Sequence, residues 1–436
     1  MKKIKAQKIR SGQPFCYRAN GMNSTIIDVI IKEEVWGCYL TRALTQTIKR
    51  YPYFAGKLVE KNGDFYLADN TDISMIVRKK RFNRLGSMAA GYHLIEVSYD
   101  GTHIYVSFHH AICDGRGIQP FIETLIYYYF CIAKNKKFKA EHIRKSDSTM
   151  LDGETFEPFE QKYTVDDFVP PTVIRDGFAL PECAHQRPDR SRQDIEIDEK
   201  AFIDFAKSVE ATPVVLLSYL FSKSIVLNNE DIDKPIVTSV AADMRQELEL
   251  PNTHKNCVRS IYLPFCATDK TAEIRKVCFD MRRALTEQRE SNYVRAVANS
   301  FIDLSDKLDT MNSFDEKKVF MSFFDTMTIN TYVVSYLGRF DFGECNDFVD
   351  AVFLLGGETG ISLDMICAGG KFCVSIIQNI DGEKYIKTFL SFLDELKIIY
   401  KTEGIKPFFT KKDVTQKTGR WHAERYQKNY LSKNYN

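Results

Sequence analysis

Residues 24 to 34, STIIDVIIKEE, form a nearly unbroken run of β-branched apolar positions, and the chain then changes period. In VWGCYLTRALTQTIKRY, the residues Trp36, Tyr39, Leu40, Ala43, Leu44, Ile48 and Tyr51 recur every three or four positions, so a strand followed by a helix is predicted. FAGKLVEKNGDFYLA alternates about Asn62-Gly63, and HLIEVSY with HIYVSFHH alternates about Asp100-Gly101. Both read as hairpins. GIQPFIETLIYYYFCIAK reads as a helix, with Pro120 tolerable only in its first turn.

The pattern breaks between about 150 and 190, where five of the thirteen prolines fall among charged residues with few aliphatics. That is the composition of an extended connector. Strand and helix periods then resume. RQDIEI is a strand, and ATPVVLLSYLFSKSIVL is a helix with Thr212 as N-cap and Pro213 at the first position. KPIVTSVAADMR, TYVVSYLG, ISLDMICA and KFCVSIIQ are strands, AEIRKVCFDMRRAL is an amphipathic helix, and a helix through Ile386, Phe389, Leu393, Leu396 and Tyr400 closes the series. The expected organisation is a first half (1–155), a connector (156–190), a second half (191–404) and a basic tail (405–436). Two mixed α/β halves of similar size place a cleft between them.

Composition narrows the function. At 436 residues, 44% hydrophobic and 27% charged, the chain can build two sizeable cores. Sixty basic and 58 acidic residues leave a formal charge of +2, which attracts neither nucleic acid nor anionic lipid. The tail carries eight Lys/Arg and two Asp/Glu, hence +6, so the remainder is at −4. The start, MKKIKAQKIRSGQPF, has charge but no apolar core, and no run of about 18 apolar residues follows. The expectation is a cytoplasmic protein without a membrane span. Eleven cysteines without CxxC pairs read as reduced thiols, with neither bridges nor a structural zinc site.

The chemistry concentrates in SFHHAICDGRGIQPF, residues 107 to 121. Neighbouring strand residues point to opposite faces, so His109 and His110 are ill placed to hold one metal. One imidazole goes inward and the other toward whatever faces the strand end. A pair of core histidines is the plainer alternative. Asp114-Gly115 precedes the helix, where an aspartate caps backbone N–H groups and glycine permits a tight turn. An aspartate that fixes the loop also fixes the imidazole, so orientation is its expected role.

HHxxxDG at a strand end resembles the signature of the acyltransferase superfamily of chloramphenicol acetyltransferase, condensation domains, BAHD enzymes and alcohol O-acetyltransferases. Three further stretches are similar to the same superfamily, in order: RYPYFAGKL (50–58), VAADMRQELELPNTHKNCV (240–258), with Lys255 where a glycine is usual, and VVSYLGRFD (333–341), with Ser335 where an asparagine is usual. The resemblance implies two chloramphenicol-acetyltransferase-like halves of mixed sheet (α/β, α+β) with an interdomain tunnel. It implies His110 as general base and Ser335 as donor to the oxyanion, while Arg245 pairs with Asp114 to hold the loop and His109 and Gly115 serve structure. Plainer readings stand beside these: a strand-end serine, a solvated arginine and a turn glycine. Neutral imidazole, with an ordinary pKa near 6.5, can take a proton from a hydroxyl or amine attacking a thioester and return it to the thiolate.

Cys113 beside His110 reads as a small buried residue rather than a nucleophile. GxSxG, GxxxxGK, HExxH and GxGxxG are all missing from the sequence, so serine hydrolase, P-loop, zincin and Rossmann readings lack their usual signal. LLGGETG has Thr359 where a carrier-protein attachment site needs serine. The expected activity is transfer of an acyl group from acyl-CoA to a small-molecule alcohol, with no tightly bound cofactor and no acyl-enzyme. A condensation-type enzyme using a separate carrier protein's thioester and an amine is the alternative, and a non-catalytic binding protein on the same fold is a third.

Overall fold

The computed structural model describes residues 6–17, 24–80, 82–185, 189–326, 330–356 and 360–408. Thr359 and nearly all of the basic tail lie outside them. Two large sheets organise the rest. The first runs Val349–Leu355, Thr25–Ile31, His103–Phe108, Ile95–Asp100, Arg78–Lys79. The second runs Val258–Phe265, Ile236–Asp243, Tyr332–Arg339, Ile361–Ala368, Lys371–Gln378, Ser191–Asp198, Tyr400–Pro407. Its Tyr332–Arg339 strand pairs in parallel on both sides, while its other pairs are antiparallel. A small third sheet, Gln7–Lys8, Asp64–Asp69, Gly56–Lys61, contains the hairpin at Asn62-Gly63, both at positive φ, as a two-residue turn demands. The second hairpin is offset by one residue from expectation: Asp100 pairs with His103, so Gly101-Thr102 make the turn.

Helices cover each large sheet because their apolar stripes have nowhere else to go. Leu40, Ala43, Leu44 and Thr47 of Gly37–Arg50 are buried, as are Ile118, Phe121, Ile122, Leu125, Ile126, Tyr129 and Phe130 of Gly115–Ala133; the two helices pack against each other. Pro120 is the sixth residue of the second helix, past the first turn. On the second sheet, Pro213–Leu227 is buried on nearly every side between Ile274–Glu287 and Lys384–Glu395. Thr212 caps it through the Val215 N–H, with Pro213 leading. None of the described helices alone is long and apolar enough to cross a membrane.

One strand ties the halves together. Val349–Leu355 comes from the second half of the sequence, yet it pairs antiparallel with Thr25–Ile31 and completes the first sheet. Its Ala351, Phe353 and Leu355 join Ile26 of the first sheet and Cys373 and Ile377 of the second in one apolar cluster. The facing surfaces of the two sheets meet there.

Candidate active site

The strand His103–Phe108 ends one residue before the histidine pair, so both imidazoles project from a turn rather than from a regular strand. They still part company. His109 is fully buried, and its Nδ1 accepts from the Ala111 N–H at 2.8 Å. Burial, helped by His110 and Arg84, lowers its pKa to about 3, so its ring is neutral at neutral pH. His109→Ala is expected to lose about 2 kcal/mol or more in urea denaturation, as buried truncations do. The native protein should also lose stability as pH falls from about 6.5 toward 3. In that window the unfolded chain binds a proton that the folded ring refuses, at up to about 1.4 kcal/mol per pH unit. Unfolding curves whose acid slope is unchanged in His109→Ala would contradict the assignment.

His110 is only partly buried. The Asn256 side-chain N–H donates to the His110 carbonyl, which turns the amide oxygen toward His110 Nδ1 at 3.0 Å. An amide oxygen only accepts, so the network assigns the proton to Nδ1 and leaves the lone pair on Nε2. The Thr25 hydroxyl lies 3.2 Å from Nε2 and is therefore the donor of that pair. Phe15 stacks on the imidazole face with centroids 4.7 Å apart and planes at 22°, and Phe108 meets the ring edge-on.

Asp114 is 1% exposed, with both carboxylate oxygens engaged. Its Oδ1 accepts from the Gly117 N–H at 2.7 Å, capping the helix, and from Arg245 Nη2 at 2.8 Å; its Oδ2 accepts from the Cys257 N–H at 2.8 Å. Arg245 donates further to the Thr253 and Lys255 carbonyls and to Asp243. Burial works against the guanidinium charge, but Asp114 and Asp243 outweigh it and raise its pKa. A buried ion pair with this many hydrogen bonds holds a geometry more than it adds net stability. It locks the segment 253–257, and with it Asn256, to the histidine turn. Asn256→Ala leaves the Nδ1 proton unassigned between tautomers. The two tautomers are then expected to mix, which the 15N chemical shifts of the His110 ring nitrogens report.

Gly115 is the first helical residue and not at positive φ, so turn freedom does not explain it. A Cβ there would come within 2.5 Å of the Leu337 side chain; the glycine lets the strand Tyr332–Arg339 approach the helix start. Ser335 stands four residues into that strand, in register with Asp364 and Ala241, rather than at its end. Tyr332 and Val334 face the second-half core, so alternation turns Ser335 and Leu337 to the opposite face, toward the first half. Ser335 makes no hydrogen bond to the histidine turn among the described residues.

His109, His110, Asp114, Gly115 and Arg245 are thus gathered into one network, with Ser335 on the strand beside it. Asn256, Thr25 and Phe15 were not anticipated. Asn256 lies in a stretch already singled out, whereas nothing local marks Thr25 or Phe15. Cys113 is fully buried, and burial together with Asp114 pushes its thiol well above the ordinary range, which disables it as a nucleophile. Lys255, where a glycine is usual, is 2% exposed. Burial lowers its pKa, partly offset by nearby Glu157 and Cys113.

No protein-family model matches the chain, and no curated protein matches it in sequence. Solved structures do. TRI101 of F. graminearum, complexed with coenzyme A and T-2 mycotoxin, superposes with a TM-score of 0.59 at 14% identity, covering 92% of this chain and all of that one. TRI3, a trichothecene 15-O-acetyltransferase from Fusarium sporotrichioides, gives 0.57 at 10% identity over 90% and 94%. The first condensation domain of the CDA synthetase gives 0.55 at 13% over 90% and 96%. The chain therefore has the two-half, chloramphenicol-acetyltransferase-like α/β fold of these proteins, the one the HHxxxDG resemblance implies.

Proposed function

We propose that the protein is an acyltransferase that moves an acyl group from acyl-CoA to a hydroxyl acceptor, with His110 as general base and no acyl-enzyme. The observation that carries the reading is the pinned tautomer: Asn256 holds the proton on Nδ1, so the Nε2 lone pair is the one presented. An acceptor hydroxyl taking the place of Thr25 against Nε2 gives up its proton as its oxygen attacks the thioester carbonyl. The C–O bond forms, the tetrahedral oxyanion collapses, the C–S bond breaks, and the thiolate takes the proton back from the imidazolium. Ester and free thiol are the products. Ser335, facing the first half, is the proposed donor to the oxyanion. Asp114 and Arg245 orient the base through the loop.

Two fold relatives support the donor class, since one was captured with coenzyme A and another is an O-acetyltransferase. The likeness to a condensation domain keeps the carrier-protein reading in the test. Purified protein incubated with acetyl-CoA and a panel of alcohols and amines should release thiol in an alcohol-dependent manner. Release only from a loaded carrier protein selects the condensation reading, and no release from either donor with folded protein selects a binding role.

A further inference from the structure

Phe15 is carried onto the base by a short segment with its own anchorage. The Ser11 N–H donates to Glu157 Oε1 at 2.9 Å, and the Arg10 N–H points at Oε2 at 3.4 Å. Glu157 is 9% exposed and lies within the electrostatic reach of buried Lys255. Between this anchor and Phe15, Gly12 runs so close to the histidine turn that a Cβ there would meet the Ala111 oxygen at 2.5 Å and the His110 oxygen at 2.7 Å. Beyond it, Cys16 and Tyr17 are buried, Tyr17 donating to the Gly63 carbonyl at 2.6 Å. Phe15, like Pro14 before it, is partly exposed, and its ring lies on the imidazole.

We propose that Phe15 is a specificity-determining residue of the site: it closes one face of His110, so that a secondary alcohol can present its carbinol carbon from the other face only. This rests on the acyltransferase reading. A hydroxyl must approach Nε2 near the imidazole plane, at about 2.6–3.2 Å, which brings its carbinol substituents alongside the ring. At a centroid distance of 4.7 Å and an interplanar angle of 22°, the phenyl covers one imidazole face as an apolar wall. One enantiomer places its larger substituent into that wall and the other places it away, and a wall of this kind discriminates by about 10-fold or more. The acceptor class that fits is a secondary alcohol with one apolar arm.

The test is the enantiomeric ratio of esters formed from racemic 1-phenylethanol and acetyl-CoA by the wild type, Phe15→Ala and Phe15→Tyr. A ratio does not depend on how much of a variant is folded. The expected result is a biased ratio in the wild type, retention in Phe15→Tyr, and a fall of about 10-fold or to parity in Phe15→Ala. An unbiased wild type, or an unchanged ratio in Phe15→Ala, overturns the proposal. A second measurement needs no turnover: the rate at which diethyl pyrocarbonate modifies His110, located by peptide mass spectrometry. It should rise several-fold in Phe15→Ala and stay put in Phe15→Tyr; equal rates in all three proteins also overturn the proposal. If acetyl-CoA is never turned over, the acyltransferase reading fails while this measurement still decides whether Phe15 shields the ring.

Discussion

His110→Ala is expected to lower kcat for esterification of an alcohol by about 10² to 10⁴-fold, the usual contribution of a positioned base, with the far-ultraviolet spectrum and urea midpoint nearly unchanged. The ring is only partly buried, so its truncation opens no large void. Its loss should be felt unequally by different acceptors. An uncharged amine attacks a thioester without help, whereas a hydroxyl must shed its proton as it attacks. The penalty with an amine should therefore be smaller, and a competition assay with an amino alcohol would show amide gaining on ester. An activity loss below about threefold with the alcohol would end the assignment of the base.

Asp114→Ala is expected to destabilise the protein by about 3 kcal/mol, the low end of the cost of breaking a buried ion pair. It leaves Arg245 with Asp243 as its remaining carboxylate and removes the acceptor for the Gly117 and Cys257 N–H groups. Turnover should fall along with stability because Asn256 is held by the same segment. Asp114→Asn keeps an oxygen for the helix cap but surrenders the charge and falls between. The pair Asp114→Ala with Arg245→Ala should cost less than the sum of the two singles, since residues in direct contact share their energy. Strict additivity in equilibrium urea unfolding, or a single-variant cost below about 1 kcal/mol, would show that the network does not hold the loop.

What could be read in the chain beforehand follows the range of the interactions. The helix after Asp114 and the one led by Thr212-Pro213 announce themselves within a few residues, because caps are local chemistry. The hairpin at Asn62-Gly63 does the same, and the register at Gly101-Thr102 slipped by one because Asp-Gly and Gly-Thr are both acceptable turns. HHxxxDG was legible as a loop and a helix cap for the same reason, whereas the proposed base comes from the family resemblance. The partner of that base was not: Asn256 is 146 positions away from His110, and only the fold brings it there. Val349–Leu355 shows in the sequence only as a short apolar run, with no sign of which sheet it will enter. Ser291–Asp309 hides for another reason. Its buried face, Tyr293, Val294, Ala298, Ile302, Ser305 and Leu308, is too mixed to stand out against its charges.

The borrowed strand Val349–Leu355 has a bearing on how the chain could be divided. Severed within the exposed stretch near 165–176, the amino-terminal piece would be left with Thr25–Ile31 as a raw border, its backbone groups unpaired and its apolar residues open to any stray chain. The other piece would carry the matching ribbon without its hydrogen-bonding neighbour. Neither fragment is a self-sufficient unit, but each holds the other's missing edge, so the two should knit together when mixed.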